Sequence, residues 1–122
     1  MKTEQLGYYK LPSGQMMHFS INAWYNLEKD TGLSPQMFLQ QFGEEAGAKE
    51  PNEFILLDLV TDYVYAACMA YDQEEGNEIT YNRYKIRDIL MRLDGEQLRN
   101  LNDSMLSSST VETSLGKRMV VK

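Results

Sequence analysis

Between Phe54 and Tyr71 the chain runs FILLDLVTDYVYAACMAY, apolar at nearly every position except Asp58, Thr61 and Asp62. A run of this length is too long for one buried strand and reads as a helix, extended at both ends to Pro51–Gln73. Its apolar residues fall on nearly every side, so the helix must be covered all round and belongs at the centre of a fold. The interrupting aspartates and threonine break the unbroken apolar stretch that a bilayer span requires, so no membrane crossing is expected. The 122 residues suit a single domain that buries roughly two-thirds of its unfolded surface, enough for a core around such a helix.

Flanking segments supply the cover. Residues 6–19 read as two short extended runs around Pro12-Ser13-Gly14, a small hairpin with proline placed to start the bend. A two-stranded hairpin is marginal alone, so Tyr8, Leu11, Met17 and Phe19 must rest on the helices. Three helix starts share a capping side chain preceded by an apolar residue able to pack on the fourth helical position: Phe19-Ser20 with Trp24, Leu33-Ser34 with Phe38, and Ile79-Thr80 with Tyr84. Gly32 ends the first of these helices, which turns Ala23, Trp24 and Leu27 inward. The second carries Phe38, Leu39 and Phe42 and is expected to stop before Gly43, leaving 43–51 as a polar loop. After an acidic loop over 72–78, Tyr81–Leu93 reads as a fourth helix, and the spacing of Leu98, Leu101, Met105 and Leu106 predicts a fifth. The expected fold is mainly α, about five helices around a long central helix with a small N-terminal β-hairpin. The domain spans 1–108, and 109–122 form a mobile C-terminal tail.

Composition narrows function more than it names it. Eighteen acidic against twelve basic side chains give a net charge of -6, which repels a phosphate backbone. The basic residues Arg83, Lys85, Arg87, Arg92 and Arg99 are interspersed with Asp88 and Asp94 and follow the acidic loop, so they read as paired intramolecularly, with no nucleic acid as partner. The lone cysteine, Cys68, lies in the most apolar segment and reads as a small buried hydrophobe in a reduced, cytoplasmic compartment. With one histidine, His18, and one cysteine, there is no zinc set and no nucleophile–base pair, so no catalytic residue, cofactor or metal is assigned and the chain reads as a non-enzyme. The carboxylates Asp72, Glu74, Glu75 and Glu78 fail the EF-hand spacing, since Gly76 in sixth place puts Tyr71 first and Asn82 twelfth. They read instead as a solvated loop beside a helix N-terminus.

What remains points to protein–protein interaction. Eight methionines in 122 residues tilt the chain towards adaptable apolar contact. The long helix has more apolar positions than a small domain covers: Ile55, Leu56, Leu59, Val60 and Tyr63 on one side, Phe54, Leu57, Val64 and Cys68 on the other. The first set is the expected protein-binding face, for a homo-oligomer or a partner helix. Met119, Val120 and Val121, beside Lys117, Arg118 and Lys122, form an apolar hook that could dock on a neighbouring copy or a partner.

The order of these elements is similar to a known family. The hairpin LPSGQMMHFS, the stretch INAWYNLEKDTGLSPQMFLQQF, the apolar helix, the acidic turn, and Ile79-Thr80 leading into a helix that ends Asp94-Gly95 resemble the tail assembly chaperones of long-tailed bacteriophages over most of residues 5–108. The most characteristic part is Gly14, Phe19, Ala23, Leu27 and Glu28, closing on Thr31-Gly32 before a serine-capped second helix. The resemblance implies a helical, non-enzymatic module in the host cell cytoplasm. Such a module coats the tape measure protein and helps recruit tail tube protein during virion assembly, often as a short form and a longer form sharing the N-terminal domain. A small adaptor or regulatory subunit that binds an apolar helix of some other protein is the alternative, and a nucleic-acid-associated factor is less favoured.

Overall fold

The computed structural model describes residues 7–105. Strands β1 (Tyr8–Lys10) and β2 (Met16–His18) are followed by helices α1 (Ile21–Thr31), α2 (Pro35–Ala46), α3 (Glu53–Glu75) and α4 (Arg83–Met91), and by a fifth, α5, over 95–105. The fold is mainly helical, with the long α3 at its centre and the hairpin at its N-terminal end.

The hairpin pairs antiparallel, Tyr8 with His18, Tyr9 with Met17 and Lys10 with Met16. Its turn is closed by the Gly14 N–H on Leu11 O (2.8 Å) and the Leu11 N–H on Gln15 O (2.9 Å). Just before β1 the backbone comes unusually close to the end of β2. Gly7 has φ +84° and accepts from the Phe19 N–H (2.8 Å), and a Cβ there would sit 2.6 Å from Phe19 O, so only glycine fits without a shift. Leu11, Met17 and Phe19 are buried against the helices, which is the support that a two-stranded ribbon needs.

Around α3 the inward stripe of α1 (Ala23, Trp24, Leu27), Phe38 of α2, Ile86 and Leu90 of α4, and Leu101 and Met105 of α5 close one continuous core. Tyr63 lies at its aromatic centre. Trp24 stacks on it at 4.3 Å between ring centroids, and Phe19 and Phe38 each lean on it at 5.2 Å. Trp24 is therefore a core residue, as the Phe19–Ser20–Trp24 spacing predicts. By length and composition α3 could cross a bilayer, but here it is the core helix of the fold, with Thr61, Asp62 and Asp72 buried along it.

Three local expectations need correction. First, α2 runs through Gly43 to Ala46 and is capped at Gly47. An interior glycine costs a helix only about 1 kcal/mol, and Glu45, two residues on, accepts the Asn52 N–H (2.8 Å), tying that extra turn to the start of α3. Second, α4 is capped not by Thr80 but by Asn82, whose side chain accepts the Lys85 N–H (3.0 Å). The anticipated staple is absent, with Ile79 and Tyr84 both exposed. Third, Asp72, Glu74 and Glu75 do not flank a helix N-terminus. They form the last turn of α3, whose negative dipole end disfavours them.

Candidate functional site

The C-terminal turn of α3 answers that dipole cost with partners. Asp72 is buried and accepts from the Tyr81 hydroxyl (2.5 Å) and the Asn77 amide (3.1 Å). Burial, with this bond to Asp72, pushes the Tyr81 hydroxyl pKa far up, so it stays a donor. Glu74 accepts from the Asn22 amide (2.7 Å) and the Ser20 hydroxyl (3.2 Å), and pairs with His18 Nδ1 (2.7 Å). His18 also stacks on Tyr8 at 3.9 Å, so it is not the plain solvent-facing strand residue its position suggests. Burial works to raise the Glu74 pKa, but the three hydrogen bonds and the nearby imidazole outweigh it and hold the carboxyl below its ordinary value. Ser20 occupies the N-cap position of α1 without capping it, since its hydroxyl is turned to Glu74.

This imidazole–carboxylate pair has the outline of a catalytic dyad but lacks a nucleophile. The Ser20 hydroxyl donates to the far carboxylate oxygen, not to the imidazole. Cys68 is fully buried, and burial, with the nearby Asp72, drives its thiol pKa up, away from the reactive thiolate. Among the described residues no three His, Cys, Asp or Glu side chains converge as a metal site. An open cleft of about 300 Å³ lies between the hairpin turn at Gly14 and the Asp72–Tyr81 region. Its buried carboxylate, Asp72, is already engaged by Asn77 and Tyr81. These groups hold the hairpin, α1 and the loop after α3 together.

The second arrangement lies where α3 meets α4. Asp62 pairs with Arg83, and Asp58 pairs with Arg87 at 2.7 Å. Burial is the chief influence on Asp62 and, despite Arg83, leaves its pKa raised. Four residues up one helix correspond to four residues down the other, so the helices run antiparallel in register. One further four-residue step leads from Asp58 to Phe54 on α3 and from Arg87 to Met91 on α4. The first two rungs of this ladder are ionic and the third is apolar and open to solvent, Phe54 being 80% exposed and Met91 66%. Ile55, 45% exposed, adjoins it. Together the three expose on the order of a few hundred Å², the scale of a recognition patch. Of the remaining large exposed apolar residues, Ile21 and Tyr25 lie on α1, Met37 on α2, Ile79 in the loop before α4 and Tyr84 in the first turn of α4.

The face expected from the sequence is divided by this geometry. Ile55 is exposed and Leu56 half-buried, whereas Leu59, Val60 and Tyr63 are interior. These three are interior because α3 is covered along its middle, while its apolar residues are open to solvent in its first turns. Met119, Val120 and Val121 lie outside the described residues. Phe54, assigned to the opposite side, and Met91, assigned to no site, prove to be largely exposed. Their signal was present in the sequence as matched four-residue steps, Phe54-Asp58-Asp62 on one helix and Arg83-Arg87-Met91 on the other. Of the basic residues from Arg83 to Arg99, Arg83, Arg87 and Arg92 do pair within the chain, with Asp62, Asp58 and Asp88 rather than with the acidic segment after Tyr71, and no ion pair is made by Lys85 or Arg99 among the described residues.

Compared with known protein families, with curated proteins and with solved structures, the chain matches none.

Proposed function

We propose that this chain is a non-catalytic assembly chaperone that holds an apolar helix of another protein against the Phe54–Met91 edge. The observation that carries the reading is that edge: exposed apolar side chains on two helices, at the end of a ladder whose other rungs are closed by ion pairs. Two helices side by side present a shallow groove, the geometry that receives an amphipathic helix through anchors one turn apart. The acidic remainder of the surface keeps a complex with an aggregation-prone partner soluble. Resemblance to the tail assembly chaperones of long-tailed phages supports naming that partner as a tape measure protein, with tail tube protein recruited to the complex in the host cytoplasm. Self-association through the same edge is compatible with this role.

Co-expression with the tape measure protein encoded in the same genome tests the reading. The expected result is a soluble complex that co-purifies with the chain and is lost in Phe54→Glu and Met91→Glu, two exposed positions whose replacement leaves the fold intact. A tape measure protein that stays insoluble and unbound in the presence of the chain overturns it.

A further inference from the structure

We propose that the cleft between the hairpin turn and the last turn of α3 binds a primary ammonium group carried on an alkyl stem. The cleft, about 300 Å³, has two carboxylates in its lining, Asp72 and Glu78, and no lysine, arginine or histidine. None of the described lysines and arginines forms an ion pair with either carboxylate. Two carboxylates are buried along α3, Asp62 and Asp72, and they are treated differently. Asp62 has the Arg83 guanidinium beside it, the arrangement that a buried charge requires. Asp72, only 7% exposed, is met among the described residues by neutral donors alone, the Asn77 amide on one oxygen (3.1 Å) and the Tyr81 hydroxyl on the other (2.5 Å). A carboxylate offers about four lone-pair positions, so each oxygen keeps room for a further donor. Asp72 also lies in the last turn of a 23-residue helix, where the macrodipole attracts positive charge and the turn itself contains no basic residue. The chain thus supplies the negative half of a buried ion pair and, among the described residues, no positive half.

The walls select the kind of cation. Tyr71 and Tyr81 line the cleft, and tyrosine rings attract an ammonium group while covering the methylenes that carry it. An ammonium brings three N–H donors, for which Asp72, Glu78 and the Thr80 hydroxyl are acceptors within the same lining. A bare metal ion is a poorer match. Calcium takes six to eight oxygens, whereas Asp72 already accepts from Asn77 and Tyr81, and no three His, Cys, Asp or Glu side chains converge among the described residues. Asp72 lies eighteen residues along α3 from Phe54, roughly 27 Å, so the site is separate from the apolar edge and stands whichever protein that edge receives. A free polyamine and a lysine side chain of a partner polypeptide both present this chemistry.

Amide shifts of the isotope-labelled full-length chain test the proposal, in titrations with diaminobutane and, separately, with Nα-acetyl-lysine methylamide at physiological ionic strength. The expected result is saturable shifts at Gln15, Asn77 and Tyr81, half-complete below about 1 mM, with none from butanediol, which has the same stem and no charge. Glu50 and Glu53, exposed acidic residues at the other end of α3, are the reference and should not move. Asp72→Asn should abolish the shifts, and Glu78→Gln, at an exposed loop position where the fold is indifferent, should weaken binding severalfold. Tighter binding of the lysine derivative assigns the site to a partner's side chain, and tighter binding of diaminobutane assigns it to a free polyamine; either supports the proposal. Absence of saturation with both amines overturns it. So do shifts at Glu50 and Glu53 equal to those in the cleft, which mean general attraction to an acidic chain, and affinity unchanged in every variant that folds.

Discussion

Trp24 lies flat on Tyr63, ring centroids 4.3 Å apart and planes inclined by 21°, and this stack joins α1 to the middle of α3. Both residues are buried, and Phe38 meets both rings. Trp24→Ala should therefore cost about 3–5 kcal/mol, a large share of the stability of a small domain. A double-mutant cycle with Tyr63→Leu should return a coupling of roughly 0.5–1.5 kcal/mol, read from chemical denaturation. A Trp24→Ala protein that melts with the parent would contradict the core assignment.

Gly7 is the tightest backbone approach in the hairpin, with positive φ and the Phe19 carbonyl where a Cβ would go. Gly7→Ala is expected to lose about 1–3 kcal/mol in thermal melting. Gly14 also has positive φ, but nothing lies within 4 Å of its missing Cβ, so Gly14→Ala should cost less.

The start of α4 can be read by two alanine substitutions. Asn82→Ala removes the acceptor for the Lys85 N–H and should destabilise by about 1 kcal/mol, whereas Thr80→Ala should fall within about 0.5 kcal/mol of the parent. Equal losses at the two positions would return the cap to Thr80.

Glu74 makes stability depend on acid. Its folded pKa lies below the unfolded value of 4.5, so the unfolded chain binds the proton more readily. The stabilisation is complete above that unfolded value and is lost as pH falls through the folded one. Glu74→Gln should destabilise the protein at neutral pH, and the gap to the parent should narrow as pH falls below 4.5 in urea titrations. A gap that stays constant to low pH would show that the carboxylate charge contributes nothing.

Arg83 keeps the carboxylate of largely buried Asp62 partnered. Because the guanidinium side is 40% exposed, Arg83→Ala should cost only about 1–2 kcal/mol rather than the full loss seen when an interior pair is broken. Adding Asp62→Asn should recover part of it, measured by denaturation at neutral pH. No recovery in the double variant would mean that the arginine acts through its methylene packing.

Much of the architecture could be read from local patterns, and the exceptions share a cause. Ser34, Pro35, Gly32 and the apolar stripes declare their roles within one or two turns of chain, so the helices they bound or fill appear where spacing predicts. Thr80 and Asn82 are both good caps by residue type, and it is the Asn82 side chain that accepts the Lys85 N–H. The partners of Glu74 lie 52 to 56 residues away, a distance at which no periodicity speaks. Leu59, Val60 and Tyr63 were indistinguishable in composition from Ile55 and Leu56. Coverage by the other helices sorts them into interior and edge, and that depends on where along α3 the shorter helices end.

The anchoring of the hairpin to Glu74 also sets an order of events. Closing a loop of some 55 residues costs roughly 3.5 kcal/mol of chain entropy before any contact is made, while the three-residue strands and the eleven-residue α1 are too short to persist alone. A ribosome that has delivered only the first fifty residues therefore holds a chain with nothing to fold onto. The native hairpin and the Trp24 stack must form together, late, once the last turn of α3 has emerged. Tryptophan emission in refolding would report that moment as a single cooperative step.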